Sequence, residues 1–328
     1  MGQVEDIFSR FSETTCMVVG DIMLDTYLWG SVGRMSPEVA NVPIVNVERR
    51  EHRLGGAANV ALNLVALGAE VLLCGTVGKD ADGAHVQQLL AQNQLDAGHI
   101  LALENRPTTV KTRVMDGTKQ LLRFDQEQTA AIQDEDEAAF LSLVSQVLTS
   151  RKIDVLIFQD YNKGLLSESV IKEVLEICHL KGIATAVDPK KDHFFGYRGA
   201  TLFKPNLKEV RDALGREVGK KSYELEQAAR EIHGRLNNQL TLITLSEAGM
   251  FVTDHHQAHH LPAHARHIVD VSGAGDTVIA VAALALAQGL PHPVIAALAN
   301  IAGGMVCEQA GVSTLNKQAF QAECLRLL

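Results

Sequence analysis

Asp270-Val271-Ser272-Gly273-Ala274-Gly275-Asp276-Thr277 brings together residue types that chemistry can use. Gly273 and Gly275 let the backbone pass close to a ligand, because a Cβ there would obstruct it. The stretch opens onto residues 278–287, an uninterrupted run of small or apolar side chains that predicts a buried helix. The first amides of a helix lack intrahelical partners and carry the positive end of its dipole, so this turn could hold an anion on Gly273, Ala274 and Gly275. Asp276 then falls in the first helical turn beside that anion. A carboxylate there does not attract phosphate; it suits a proton acceptor. Anion hole plus base is what phosphoryl transfer to a hydroxyl needs. The same residues also make an ordinary Gly-rich turn with Asp at a helix start, so the surrounding elements must decide.

Those elements read as α/β. Cys16-Met17-Val18-Val19-Gly20-Asp21 predicts a short buried strand ending in a carboxylate. Ligands collect at the carboxyl ends of parallel strands, which makes Asp21 and nearby Asp25 candidates for holding hydroxyls; turn chemistry is the other reading. Leu54-Gly55-Gly56-Ala57-Ala58-Asn59 predicts a second glycine-led helix start, with Asn59 able to offer an amide to a sugar hydroxyl. From residue 134 strands and helices alternate, and acids or amides recur at strand ends: Asp21, Asp160, Asp188 and Asn206, with Glu209 in the helix after the last. Core packing does not demand that repetition. Residues 27–53 and about 107–125 break the βα pattern. Asp116-Gly117 suggests a hairpin there, and the two pieces together predict a small β lid. Lys111, Arg113 and Arg123 place positive charge on it, either for a ligand or as a solvated strand face.

The balance of 30 basic against 39 acidic residues, net −9, excludes a general surface for gripping a nucleic acid backbone. The 328 residues, 46% hydrophobic and 21% charged, suffice to bury a large core, as one big α/β domain or two smaller ones. Five dispersed cysteines without a C-x-x-C pair read as reduced core residues. No apolar run approaches the roughly 18–20 residues of a membrane span, and no leader pattern opens the chain. A cytoplasmic protein with no membrane partner is expected. His255, His256, His259, His260, His264 and His267 show a metal-like spacing, but Pro262 interrupts them and no cysteine joins them, so they read as a solvated hairpin. Asn300, inside an apolar helix at 293–309, either faces a ligand or is a satisfied buried amide.

Together these residues resemble the ribokinase-like family of carbohydrate kinases over essentially the whole chain. Gly55-Gly56-Ala57-Ala58-Asn59 and Asp270-Val271-Ser272-Gly273-Ala274-Gly275-Asp276-Thr277 carry the resemblance, with Asn206-Leu207-Lys208-Glu209 between them. Met35-Ser36-Pro37-Glu38, Gln120-Leu121-Leu122-Arg123-Phe124-Asp125, Gln159-Asp160-Tyr161-Asn162-Lys163-Gly164, Asp188-Pro189-Lys190-Lys191 and Tyr197-Arg198-Gly199-Ala200-Thr201 look like one branch of it. Members of that branch phosphorylate the anomeric hydroxyl of D-glycero-β-D-manno-heptose 7-phosphate. The resemblance, being whole-length, implies one domain over 1–328, with a mostly parallel sheet flanked by helices and a β lid that serves as a homodimer interface. It implies that Asp276 is the base and that Gly273, Ala274 and Gly275 steady the transferring phosphoryl group. Asp21, Asn59, Asp160 and Arg123 would hold sugar hydroxyls, and Lys163, Lys190 or lid cations such as Lys111 the 7-phosphate. Thr244, Ser246, Glu247, Gly249 and Asn300 would line ATP; Asn206 and Glu209 would organise Mg²⁺ through water. Ser272 stands where relatives commonly have Thr, which keeps the hydroxyl. Bifunctional relatives continue into a nucleotidyltransferase domain; with this chain ending at Leu328, a stand-alone kinase followed by a separate nucleotidyltransferase is expected. The rival readings are a same-fold kinase of another sugar or sugar phosphate, and a catalytically silent sugar-phosphate sensor. A Rossmann dehydrogenase is disfavoured, since no G-x-G-x-x-G follows the first strand.

Overall fold

The computed structural model describes residues 2–117 and 119–328. Among these, the strands in chain order are β1 (Thr15–Gly20), β2 (Ile22–Met35), β3 (Pro43–Gly56), β4 (Glu70–Gly78), β5 (Ile100–Leu103), β6 (Thr109–Asp116), β7 (Lys119–Gln126), β8 (Val155–Gln159), β9 (Ala184–Asp188), β10 (Leu202–Phe203), β11 (Leu240–Thr244), β12 (Met250–Thr253) and β13 (Ala258–Leu261). They make a large sheet of order β13-β12-β11-β10-β9-β8-β1-β4-β5 and a small sheet of order β3-β2-β6-β7. The large sheet is parallel from β11 to β5, and β12 and β13 add an antiparallel edge. This is the expected α/β architecture, a mostly parallel sheet between helices with a smaller β lid.

Both faces of the parallel strands are buried, so their side chains divide between two cores. Cys16 and Val18 face one, under the helices Ala57–Leu67, Ala274–Ala287 and His292–Val306. Met17 and Val19 face the other, under Asp134–Ser150, Glu168–Lys181 and Ser222–Leu236. Every residue of Ala274–Ala287 from Asp276 to Ala285 is buried, as expected of a helix apolar all round. The cysteines 16, 74, 178, 307 and 324 are unpaired and buried, as the sequence predicted.

Strand order reverses between β1 and β8, which is where α/β sheets place ligands. Here the strands end level: Gly20 pairs with Gln159, and Gln159 with Asp188. Immediately past β1 the chain turns at Asp21 and enters the lid, whose two long strands β2 and β3 pair from Ile22↔Gly56 outward. The lid is therefore rooted directly over the reversal point. The histidine segment is a hairpin, as read above: β12 and β13 pair antiparallel, with His259 and His260 on β13, and His255 stacks on His233 with ring centroids 3.8 Å apart.

Candidate active site

Gly273, with φ +78, caps the N-terminus of the Ala274–Ala287 helix with no side-chain cap hydrogen bond, and the Ala274 amide donates to the Val271 carbonyl at 3.2 Å. A Cβ on Gly273 would stand 2.8 Å from Asn59 Nδ2, so only glycine lets the two helix starts meet. Asp276 sits in the first turn, 3% exposed. Its Oδ2 accepts from Asn59 Nδ2 at 2.7 Å. Its Oδ1 accepts from the Tyr161 hydroxyl at 2.7 Å and from Gln159 Nε2 at 3.1 Å. Burial pushes the Asp276 carboxyl up to about 7; the Asn59 and Tyr161 donors pull it down, the Asp188 charge raises it and Lys204 lowers it. A carboxylate poised there is suited to take a proton near neutral pH.

Gln159 Nε2 also reaches Asp188 Oδ2 at 3.2 Å, and Asp188 Oδ1 pairs with the buried Lys204 Nζ at 3.0 Å. Beside them Lys190 pairs with Glu209 and lies 5.3 Å from the Tyr161 ring centroid. Burial opposes the Lys190 charge, but Asp188, Glu209 and Asp276 outweigh it and raise its pKa. Asn206 and Glu209 form a reciprocal capping box on the Leu207–Leu214 helix: Glu209 N donates to Asn206 Oδ1 at 2.9 Å, and Asn206 N to Glu209 Oε2 at 2.8 Å. The N-x-x-E spacing thus has a local structural use as well. Asn206 also bridges to Thr244 at the end of β11.

On the lid side, Asp21 accepts from the backbone amides of Tyr161 at 2.8 Å and Lys163 at 3.1 Å. Burial raises its carboxyl to about 7, aided by Asp160 and opposed by those amides and Arg106. Asp160 is turned toward Tyr197, whose hydroxyl donates to it at 2.8 Å, and burial raises its pKa too. Asp25 is buried in an ion pair with Arg113. Gly55 makes room for it, since a Cβ there would fall 2.1 Å from Asp25 Oδ2, and Gly56 follows with φ +59. Lys111 and Lys163 converge on Glu127 at 3.2 and 2.9 Å, and Lys111 and Arg123 share Asp125.

The structure therefore gathers Asp276, Asn59, the 273–275 turn, Lys190 and Glu209 on one side of the reversal point, and Asp21, Asp25, Gly55, Gly56 and Asp160 beside them beneath the lid. Lys111, Lys163 and Arg123 form an adjoining charged rim. Ser246, Glu247 and Gly249 follow β11 on a turn of their own; Glu247 is exposed and pairs with Lys220. Asn300 is buried and donates to the Pro262 carbonyl at 2.8 Å. None of these four shares a hydrogen bond with the Asp276 cluster among the described residues. Gln159, Tyr161, Lys204 and Glu127 were missed as site residues from sequence. The signal that could have found Lys204 is a lysine one residue past the buried strand β10, where charge needs a partner.

Residues 13–319 match the model of the pfkB family of carbohydrate kinases. Among curated proteins, bifunctional protein HldE of Syntrophotalea carbinolica is 39% identical over 314 residues, covering 95% of this chain and 63% of that protein. HldE of Pseudomonas aeruginosa is 41% identical over 319 residues, covering 96% of this chain and 65% of that one. The chain thus spans under two-thirds of the length of these relatives. Among solved structures, Escherichia coli phosphofructokinase-2 in complex with potassium superposes with TM-score 0.81 at 18% identity, over 96% of this chain and 99% of that one. Arabidopsis thaliana ribokinase complexed with ribose and ATP gives 0.73 at 17%, over 94% and 98%. At such identities the likeness carries the fold, which is ribokinase-like.

Proposed function

This chain belongs to the pfkB family of carbohydrate kinases, and from that premise we propose that it transfers the γ-phosphoryl group of ATP to the anomeric hydroxyl of D-glycero-β-D-manno-heptose 7-phosphate. The product, heptose 1,7-bisphosphate, would feed ADP-heptose and lipopolysaccharide core synthesis. The branch-like motifs around Arg123, Asp160 and Lys190, whose resemblance is to kinases of a heptose 7-phosphate, support the sugar assignment, and the similarity to the bifunctional HldE proteins runs over the same residues.

The observation that carries the chemistry is a buried carboxyl pushed up to about 7 beside a helix start with no side-chain cap: Asp276 at the start of Ala274–Ala287. In this reading the sugar hydroxyl gives its proton to Asp276 as its oxygen attacks phosphorus, and the amides of Gly273, Ala274 and Gly275 steady the charge on the transferring group. Asp21, Asp25, Asn59 and Asp160 hold hydroxyls below the lid. Lys163, Lys111 and Arg123, now balanced by Glu127 and Asp125, are the cations a distal phosphate would engage, with Lys190 on the nucleotide side as the other candidate. Thr244, Ser246, Glu247, Gly249 and Asn300 line the ATP side.

Mg²⁺ keeps several waters and uses one or two carboxylates plus substrate phosphates. Among the described residues no three metal-binding side chains cluster, and Glu209 already pairs with Lys190 and caps a helix. These residues fit an ion that arrives with the nucleotide and meets Glu209 through water; bound there, it would neutralise phosphate charge. Asp276→Asn is the direct test of the base: sugar binding retained, with kcat down by about 10²–10⁴-fold. Near wild-type turnover would overturn the mechanism.

A further inference from the structure

We propose that Tyr161 is a positioning residue for the transfer, its phenol fixing Asp276 through Oδ1 so that Oδ2 receives the substrate's proton. The inference rests on Asp276 being the base. A carboxylate oxygen has two lone-pair directions. Those of Oδ1 are taken by Tyr161 at 2.7 Å and Gln159 at 3.1 Å, whereas Oδ2 has one donor, Asn59 at 2.7 Å. One direction on Oδ2 remains for an incoming hydroxyl.

Tyr161 is itself held. Its backbone amide donates to Asp21 Oδ2 at 2.8 Å, which ties the base to the sugar side of the site. Its ring lies 5.3 Å from the Lys190 ammonium, and Lys190 pairs with Glu209, which ties it to the phosphate side. One residue thus links the base and the phosphate-side cation through its side chain, and the sugar pocket through its backbone amide. Burial, with Asp276 and Asp188 nearby, raises the phenol well above 10, so it stays a donor at working pH.

The ionisable groups facing Asp276 are Asp188 at the end of β9, Lys190 just after it, Lys204 after β10 and Tyr161 after β8. The Ala57–Leu67 helix contributes the amide of Asn59, which Asn63 steadies by donating to the Asn59 carbonyl. Removing the phenol oxygen strips a donor from the charged carboxylate and leaves the other neighbours in place, which favours the protonated form.

The test is Tyr161→Phe in the full chain, with ¹³C-labelled aspartate followed by NMR against pH and Asp276→Asn identifying the signal. The expected result is an upward move of the Asp276 titration by about one pH unit. The acid limb of the kcat profile moves with it, kcat falls about tenfold or more, and KM for ATP changes less than about twofold. A titration and profile that superpose on wild type, or move downward, overturn the proposal. If that happens while Asp276→Asn is inactive, only the role of Tyr161 falls; if Asp276→Asn keeps turnover, the base reading falls and this inference with it.

Discussion

Asp276 and Asp21 are both buried carboxyls held near pH 7, and each makes a separate measurable statement. For activity the sign follows from the base, which works only when ionised. Turnover is expected to rise as pH passes upward through about 7 and to fade below it, giving an acid limb in kcat/KM. For stability the sign is opposite. A folded-state pKa raised from 3.8 to about 7 means the native state binds protons that the unfolded chain releases, so stability falls as pH climbs through that window. Urea midpoints are expected to drop between pH 5.5 and pH 8.5, with a shallower drop in Asp21→Asn; a pH-independent midpoint would contradict the burial of these groups. At this scale the sequence displayed Asp276, Gly273, Gly275 and Asn59, because glycine-led helix starts leave a pattern. It did not display Gln159, Tyr161 or Lys204 as partners of the base. Those come from two segments, the end of β8 and the stretch just past β10, and nothing local distinguishes an amide, phenol or ammonium that meets a carboxylate far away in the chain.

Elements explain why the lid begins where it does. The reading from sequence found alternation only from Tyr27, but β2 starts at Ile22 and β3 runs on to Gly56. The first six residues of β2 and the last three of β3 are buried on both faces, so the alternation that betrays a half-exposed strand is missing there. The N-x-x-E element likewise has two meanings that composition cannot separate, a helix cap and a phosphate-side carboxylate. Two glycine changes separate local strain from general tolerance. Gly55→Ala would drive a methyl into the Asp25–Arg113 pair, so a loss of about 1–3 kcal/mol and weakened sugar binding are expected by calorimetry. Gly234→Ala, in the Ser222–Leu236 helix with open space around it, should stabilise by about 0.5–1 kcal/mol. Equal effects from the two would show that the lid root is not constrained as described.

For the molecule as a whole, the α/β class and the lid were readable because buried strands, capped helices and charged hairpins differ in pattern over long stretches. Association was read only by resemblance. The lid nonetheless exposes Met35, Val39, Val42, Val47, Leu122 and Phe124, an apolar load that isolated surfaces seldom carry. A homodimer through the lid is therefore proposed, and sedimentation should report a dimer that Leu122→Asp with Phe124→Asp converts to a monomer. An unchanged sedimentation coefficient in that variant would place any association elsewhere. No helix among the described residues is long and apolar enough to cross a membrane.

The measurement that tests the central claim most directly is ADP release from Mg·ATP over a substrate panel. The panel is D-glycero-D-manno-heptose 7-phosphate, sedoheptulose 7-phosphate, fructose 6-phosphate, ribose and adenosine. Turnover confined to the heptose phosphate is expected, with phosphorus NMR of the product showing a second phosphate on the anomeric oxygen. Turnover confined to another member would keep the family and the base but contradict the heptose assignment. Binding without turnover on every member would contradict the kinase reading itself and favour a sugar-phosphate sensor.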